Sequence, residues 1–205
     1  MQRLVPFTAW SAALLAGAAV AQQPAAPAPQ QHVRGDIVAL KGDTLEIESR
    51  SGESMKLKLA EGARVAVASK ADLASIGDGA FIGTTAVPQN DGTLRAVEVH
   101  VFPDSMRGTG EGHRPWDLQP GSTMTNATVA KVDESGGARK LSLKYKDGEK
   151  TVVVPAGTPV VRMEPGDRSK LVPGAHVFVI ASRQLDGTLV AERLTVGKDG
   201  LVPPM

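Results

Sequence analysis

No cysteine occurs among the 205 residues of the chain. Disulfides, thiolate metal sites and cysteine nucleophiles are excluded at the outset, whatever the redox compartment. Aromatic residues are nearly as scarce, at 3%. Beyond the amino-terminal segment only Phe81, Phe102, Trp116, Tyr145 and Phe178 remain. Charge of one sign is missing too: 23 Lys and Arg face 22 Asp and Glu, and setting Arg3 aside makes the two equal. Binding to single-stranded nucleic acid calls for stacking rings inside a basic groove, and a neutral chain has no clustered basic excess to supply one. The polybasic run that would hold a protein to anionic lipid is likewise absent. Apart from one amino-terminal stretch, no segment approaches the roughly 18 consecutive apolar residues of a spanning helix.

That stretch is a sorting signal by its pattern. Met1-Gln2-Arg3 supplies a positive start, Leu4 to Val20 is almost uncharged, and Ala19-Val20-Ala21 offers the small residues that a signal peptidase reads. Residues 1–21 are expected to be removed, leaving Gln22 at the mature start, no spanning segment, and a periplasmic or secreted protein. Gln22 is not Cys, so a lipoprotein anchor has no attachment point. Residues 22–31 (QQPAAPAPQQ) have nothing to bury and read as an extended tether.

The rest of the chain repeats itself. Asp91-Gly92-Thr93-Leu94-Arg95-Ala96 recurs 95 positions later as Asp186-Gly187-Thr188-Leu189-Val190-Ala191. The same offset pairs Gly62 with Gly157, Val65 with Val160, Gly79-Ala80 with Gly174-Ala175, and Val101 with Val196. A constant offset across turns and strands points to a duplicated unit. In the first copy Leu45 and Ile47 alternate with Glu46 and Glu48, the period-2 pattern of a half-buried strand. Further strands are expected at 36–40, 55–59, 64–68, 80–87 and 94–101, and in the second copy at 128–132, 140–144, 150–154, 160–163, 176–182 and 189–196. Lys70 to Ile76, with Ser69 as N-cap, is the one helix expected. Five or six short strands per copy, with frequent turns, predict small closed barrels, because closure removes exposed edges.

The opening Val33-x-Gly35-x-Ile37, the strand run and the D-G-T-L-x-A close resemble a bacterial family of exported OB-like repeats of unknown function. The resemblance covers both copies, although the second opens with Asn126-Ala127-Thr128-Val129 in place of the glycine pattern. It implies an all-β protein of two tandem small OB-like barrels and carries no catalytic residues. A weaker resemblance is to chains labelled as metal-transporter accessory proteins. The expected organisation is a first OB-like domain at 32–102, a long irregular connector at 103–125, a second domain at 126–197 and a tail at 198–205.

The connector has no counterpart in the other copy and holds Trp116. Long loops on rigid scaffolds carry binding residues, and an aromatic in a loop is often a packing anchor. Met106, Arg107, Arg114, Trp116 and Asp117 are therefore the candidate ligand or junction residues. Gly108-Thr109-Gly110-Glu111-Gly112 lacks the register of a phosphate-cradling loop, and Pro115 blocks the helix such a loop needs. Glu98, His100 and His113 are candidate ligands for copper or zinc, since imidazole suits both metals, but no pair has ligand spacing. His176 lies in a strand with no partner beside it and reads as structural. Neither a G-x-S-x-G elbow nor a convergent nucleophile and base is present, so no catalysis and no organic cofactor are expected. Lys140, Lys144, Lys146 and Lys150 ring one hairpin, a solvated face that an anionic glycan could meet. The expected function is that of an exported, non-enzymatic binding or scaffold protein, its partner a small ligand, a glycan or an envelope protein. The alternative is a periplasmic metal-handling accessory using the connector.

Overall fold

The computed structural model describes residues 29–135 and 137–205. The expected signal peptide and all but the last residues of the tether lie outside these. The described chain is all-β, with twelve strands and a few one-turn 3-10 helices. No helix among the described residues is long and apolar enough to cross a membrane.

The first three strands, β1 (Gln30–Lys41), β2 (Thr44–Ser49) and β3 (Ser54–Lys70), form an antiparallel meander. After β4 (Phe81–Pro88) and β5 (Leu94–Phe102) come a four-residue β6 (Gly112–Pro115) and a second meander. The latter comprises β7 (Thr123–Ser135), β8 (Ala138–Tyr145) and β9 (Gly148–Val154). The chain closes with β10 (Val160–Gly166), β11 (His176–Arg183) and β12 (Leu189–Gly197).

The pairing returns on itself through β1, β2, β3, β12 and β11, a closed five-stranded barrel. Every neighbour in it is antiparallel except β3 and β12, which run parallel. The remaining long strands follow the same order, β7-β8-β9-β5-β4, and β4 pairs back to β7. The parallel seam there is short, with Leu94 opposite Val152 and Arg95 opposite Val153. Between the two rings lies β10, antiparallel to β3 on one side and parallel to β5 on the other.

The connectivity differs from the expectation that each copy closes its own interior. The β11–β12 hairpin, from the carboxy-terminal half, completes the ring of β1–β3, while β4 and β5 complete the ring of β7–β9. The buried clusters follow the same pairing. Val33, Ile37, Leu45, Ile47 and Leu57 pack with Val177, Val179, Ala191 and Leu194. Ile82, Ala96 and Val99 pack with Val129, Leu141, Leu143, Val152 and Val154. Burying one such aliphatic side chain contributes roughly 1.5–3 kcal/mol, so both interiors depend on side chains from distant parts of the chain. A third cluster, with Ala66, Ala68, Phe81, Phe102, Val161, Met163, Phe178 and Met205, fills the space between the rings.

Local differences have local causes. The helix expected at 70–76 is a single 3-10 turn, Leu73–Ser75, capped by the Asp72 side chain on the Ala74 N–H. Ser69 and Lys70 are held in the β3 ladder opposite Arg162 and Val161, so neither can start a helix. The two strands expected at 55–59 and 64–68 are one 17-residue strand. Later in the chain β9 and β10 stay separate strands, divided by Pro155 and Pro159, which cannot donate to a ladder. The connector is not wholly irregular: β6 pairs with the start of β7, and Asp104–Met106 forms a 3-10 turn. The tail beyond β12 is folded back, with Arg34 Nε donating to Met205 O at 2.9 Å and Arg50 to Pro203 O at 3.2 Å.

Candidate functional site

A half-open pocket of about 240 Å³ lies on the third cluster, between the two rings. Strands from both rings and the connector supply its walls, which are apolar through Val65, Phe102, Phe178, Ile180 and Leu194. Met106, Met124, Met163 and Met205 also line it. Thioether side chains are flexible and fit irregular guests. The polar lining is Arg64, Arg114, Arg193, His100, Asn126, Thr109, Ser105 and Thr195, with no acidic side chain.

Strand β5 shows how the floor is made. Strict alternation would place Ala96, Glu98 and His100 on one face. A register shift opposite Thr85 and Ala86 leaves Val97 as the bulged residue, and Ala96 then joins Val99 and Val101 inside the ring. Glu98, His100 and Phe102 are left on the outer face, which the junction covers. Glu98 is 0% exposed. One of its oxygens accepts from the Thr85 N–H and Thr85 Oγ1, both at 2.7 Å. The other lies 3.0 Å from His100 Nδ1. Its capacity is used within the protein, and it orients the imidazole, whose Nε2 lies against Gly83.

Gly83, opposite His100 on β4, makes room for that ring. A β-carbon at Gly83 would lie 1.9 Å from His100 Nε2 and 2.5 Å from Asn126 Oδ1. Asn126 is only 5% exposed; its Nδ2 donates to Thr109 O at 2.9 Å, while Oδ1 has no partner among the described residues. Trp116 Nε1 is the other buried polar side-chain atom without one. Buried unpaired groups are uncommon and mark places where something else can bond.

The connector residues divide. Met106, Arg114 and Trp116 line the pocket. Trp116 packs on His32, with ring centroids 4.2 Å apart, and on Phe178 at 6.0 Å, while the Arg114 guanidinium lies 5.6 Å from its ring. Asp117 is a clamp beside the pocket: it accepts from Arg34 at 2.7 and 3.1 Å and lies 2.8 Å from His32 Nδ1. Burial pushes the Asp117 carboxyl up, but hydrogen bonds and charge from Arg34 and His32 outweigh it and bring the pKa down to about 2. Arg107 faces elsewhere, bonded to Gly79 O and Asp104.

His113 is not brought to His100. It bonds Thr125 Oγ1 at 2.8 Å and stacks on Tyr145, and burial, then Lys150 and Arg114, lower its pKa. His176 pairs with Asp36 on the barrel wall. Among the described residues no three His, Asp or Glu side chains group as metal ligands. Arg64, Arg193 and Asn126 were absent from the sequence-derived candidates. Nothing in their sequence neighbourhoods marks them, since β3, β7 and β12 meet only through the exchange.

Comparison with known protein families, curated proteins and solved structures finds no match.

Proposed function

We propose that this is an exported, non-enzymatic binding protein built from two OB-like barrels that have exchanged their closing hairpins, with its ligand site in the pocket between them. The meander-then-hairpin order, with one parallel seam per ring, supports the OB-like reading. Matched turns 95 positions apart support a duplication: Asp91 and Asp186 each accept from the N–H two residues on, at 2.9 Å. The observation that carries the binding reading is a half-open apolar pocket walled by aromatic, aliphatic and methionine side chains, with a few polar side chains, Arg114, Arg193, His100 and Asn126 among them, in its lining. Small-ligand sites have this character, apolar walls with a few placed polar groups, though most are larger, roughly 300–1,000 Å³. The ligand is accordingly small.

The test is a titration with N-phenyl-1-naphthylamine, a neutral dye that brightens in apolar surroundings. Saturable one-to-one binding with a change in Trp116 emission is expected, and Ser105→Phe, which fills the exposed mouth, should abolish it. Absence of saturable binding would defeat the proposal. Export is checked separately by sequencing the mature amino terminus, expected at Gln22.

A second reading rests on one observation: His100, oriented by Glu98, shares the pocket with four methionines. Imidazole and thioether together suit copper(I). Three arginines in the same lining oppose a cation, which ranks this reading second. Copper(I) titration should quench Trp116, and His100→Ala should remove the effect, if metal handling is the role.

A further inference from the structure

Among the polar groups of the pocket, the arginines are the ones the protein leaves without counterions. Arg193 on β12 stands directly opposite Arg64 on β3 in the parallel ladder. Like charges placed opposite one another across a ladder repel. Among the described residues, neither has a carboxylate within ion-pair distance or any side-chain hydrogen bond. The nearest acid in sequence, Glu192, accepts from Ser182 on the neighbouring strand. Arg114 donates only to Gly110 O, at 2.8 Å. The space beside Gly110 is where Arg114, Arg193 and Asn126 converge. A β-carbon there would sit 3.1 Å from Asn126 Nδ2, 3.4 Å from Arg114 Nη2 and 3.8 Å from Arg193 Nη1. Burial, and then the charge of Arg193, lower the pKa of Arg114.

We propose that Arg114, Arg193 and Arg64 receive the anionic head of a short amphiphile whose apolar body lies against the methionine and aromatic wall. This rests on the binding reading and names its ligand class. Guanidinium groups bind carboxylates and phosphates through parallel N–H donors, and an anion placed between Arg193 and Arg64 would turn their repulsion into attraction. Both a carboxylate and a phosphate monoester fit this chemistry.

The full mature chain is titrated calorimetrically with octanoate, octyl phosphate, octanol and octylamine. At least one anion should bind roughly tenfold or more tightly than octanol, the size expected for charge-assisted hydrogen bonds. Octylamine should bind most weakly, and the anion preference should shrink as salt rises. Which of octanoate and octyl phosphate binds better identifies the head. Arg193→Gln should erase the preference while leaving octanol binding in place. Its melting temperature should equal or exceed that of the wild type, because a repulsion has been removed; this separates lost recognition from lost folding. Equal affinity for octanol and both anions, or a preference that survives in both Arg193→Gln and Arg114→Gln, would overturn the anionic assignment while the pocket remains a binding site. Binding of none of the four would overturn both readings.

Discussion

Gly83 has an ordinary backbone conformation, so its importance is one of space alone. A methyl group there would collide with His100, which cannot retreat because Glu98 holds it from behind. Gly83→Ala is expected to cost about 1–3 kcal/mol through overpacking, seen as a lower thermal midpoint, and to weaken ligand binding by displacing His100 and Asn126. Glu98 is the reverse case, a buried carboxyl group whose hydrogen-bonding capacity its partners use. Removing it in Glu98→Ala strands the Thr85 N–H and hydroxyl and leaves His100 unpaired. Leaving buried donors unsatisfied costs about 1–3 kcal/mol each, and a denaturant titration would measure the loss. At Asp117 the sign of the pH effect follows from a folded pKa below the unfolded one. Its contribution is present above about pH 4 and is lost as pH falls toward 2. Because the side chain is half exposed, the contribution is at most about 1 kcal/mol. The stability gap between wild type and Asp117→Asn should therefore be visible at pH 7 and shrink steadily from about pH 4 to pH 2.

At the scale of the element, the bulge in β5 and the folded tail matter most. The shift at Val97 turns Glu98, His100 and Phe102 together onto the outer face, and β12 carries the same irregularity at Glu192, 95 positions on. On the other side of β12, residues 60–63 of β3 face the single Glu192, and this sets Arg193 opposite Arg64. The tail owes its path to Gly197, where a β-carbon would sit 1.6 Å from the Leu201 carbonyl oxygen, and to a left-handed pair, Asp199 and Gly200. Met205 is thereby buried against the pocket. Gly197→Ala should push the tail away and open that wall. The expected outcome is faster association and dissociation of octanoate in stopped-flow Trp116 fluorescence, with a melting temperature lowered by a few degrees.

For the whole molecule, the strand pairing makes each ring depend on both halves of the chain. The intact protein should unfold in one cooperative transition, since neither interior can be lost without taking strands from the other ring. Residues 29–102 or 103–205 produced alone should give no cooperative transition, because each half places its meander and its hairpin in different rings. Mixing the halves should restore one, followed by circular dichroism on heating. If either half alone melted cooperatively as a monomer, its hairpin would have closed on its own meander, and the exchange would not be required for stability.

The strands were legible because alternation is a local property. Leu45 and Ile47, or Leu141 and Leu143, announce which face is buried whatever they later meet. The turn glycines were legible for the same reason, Gly92 and Gly187 each carrying the positive φ that Asp-Gly turns demand. The prominence of Trp116 could also be read, since a lone indole in a polar loop has to pack somewhere. Strand pairing between distant segments could not be read, because β3 offers the same hydrogen-bonding edge to a hairpin 95 residues later as to its own. The sequence alone thus determined an all-β chain and the positions of most of its strands and turns. Only the tertiary structure decided which hairpin closes which ring, and therefore that Arg64, Arg114, Arg193 and Asn126 surround one pocket.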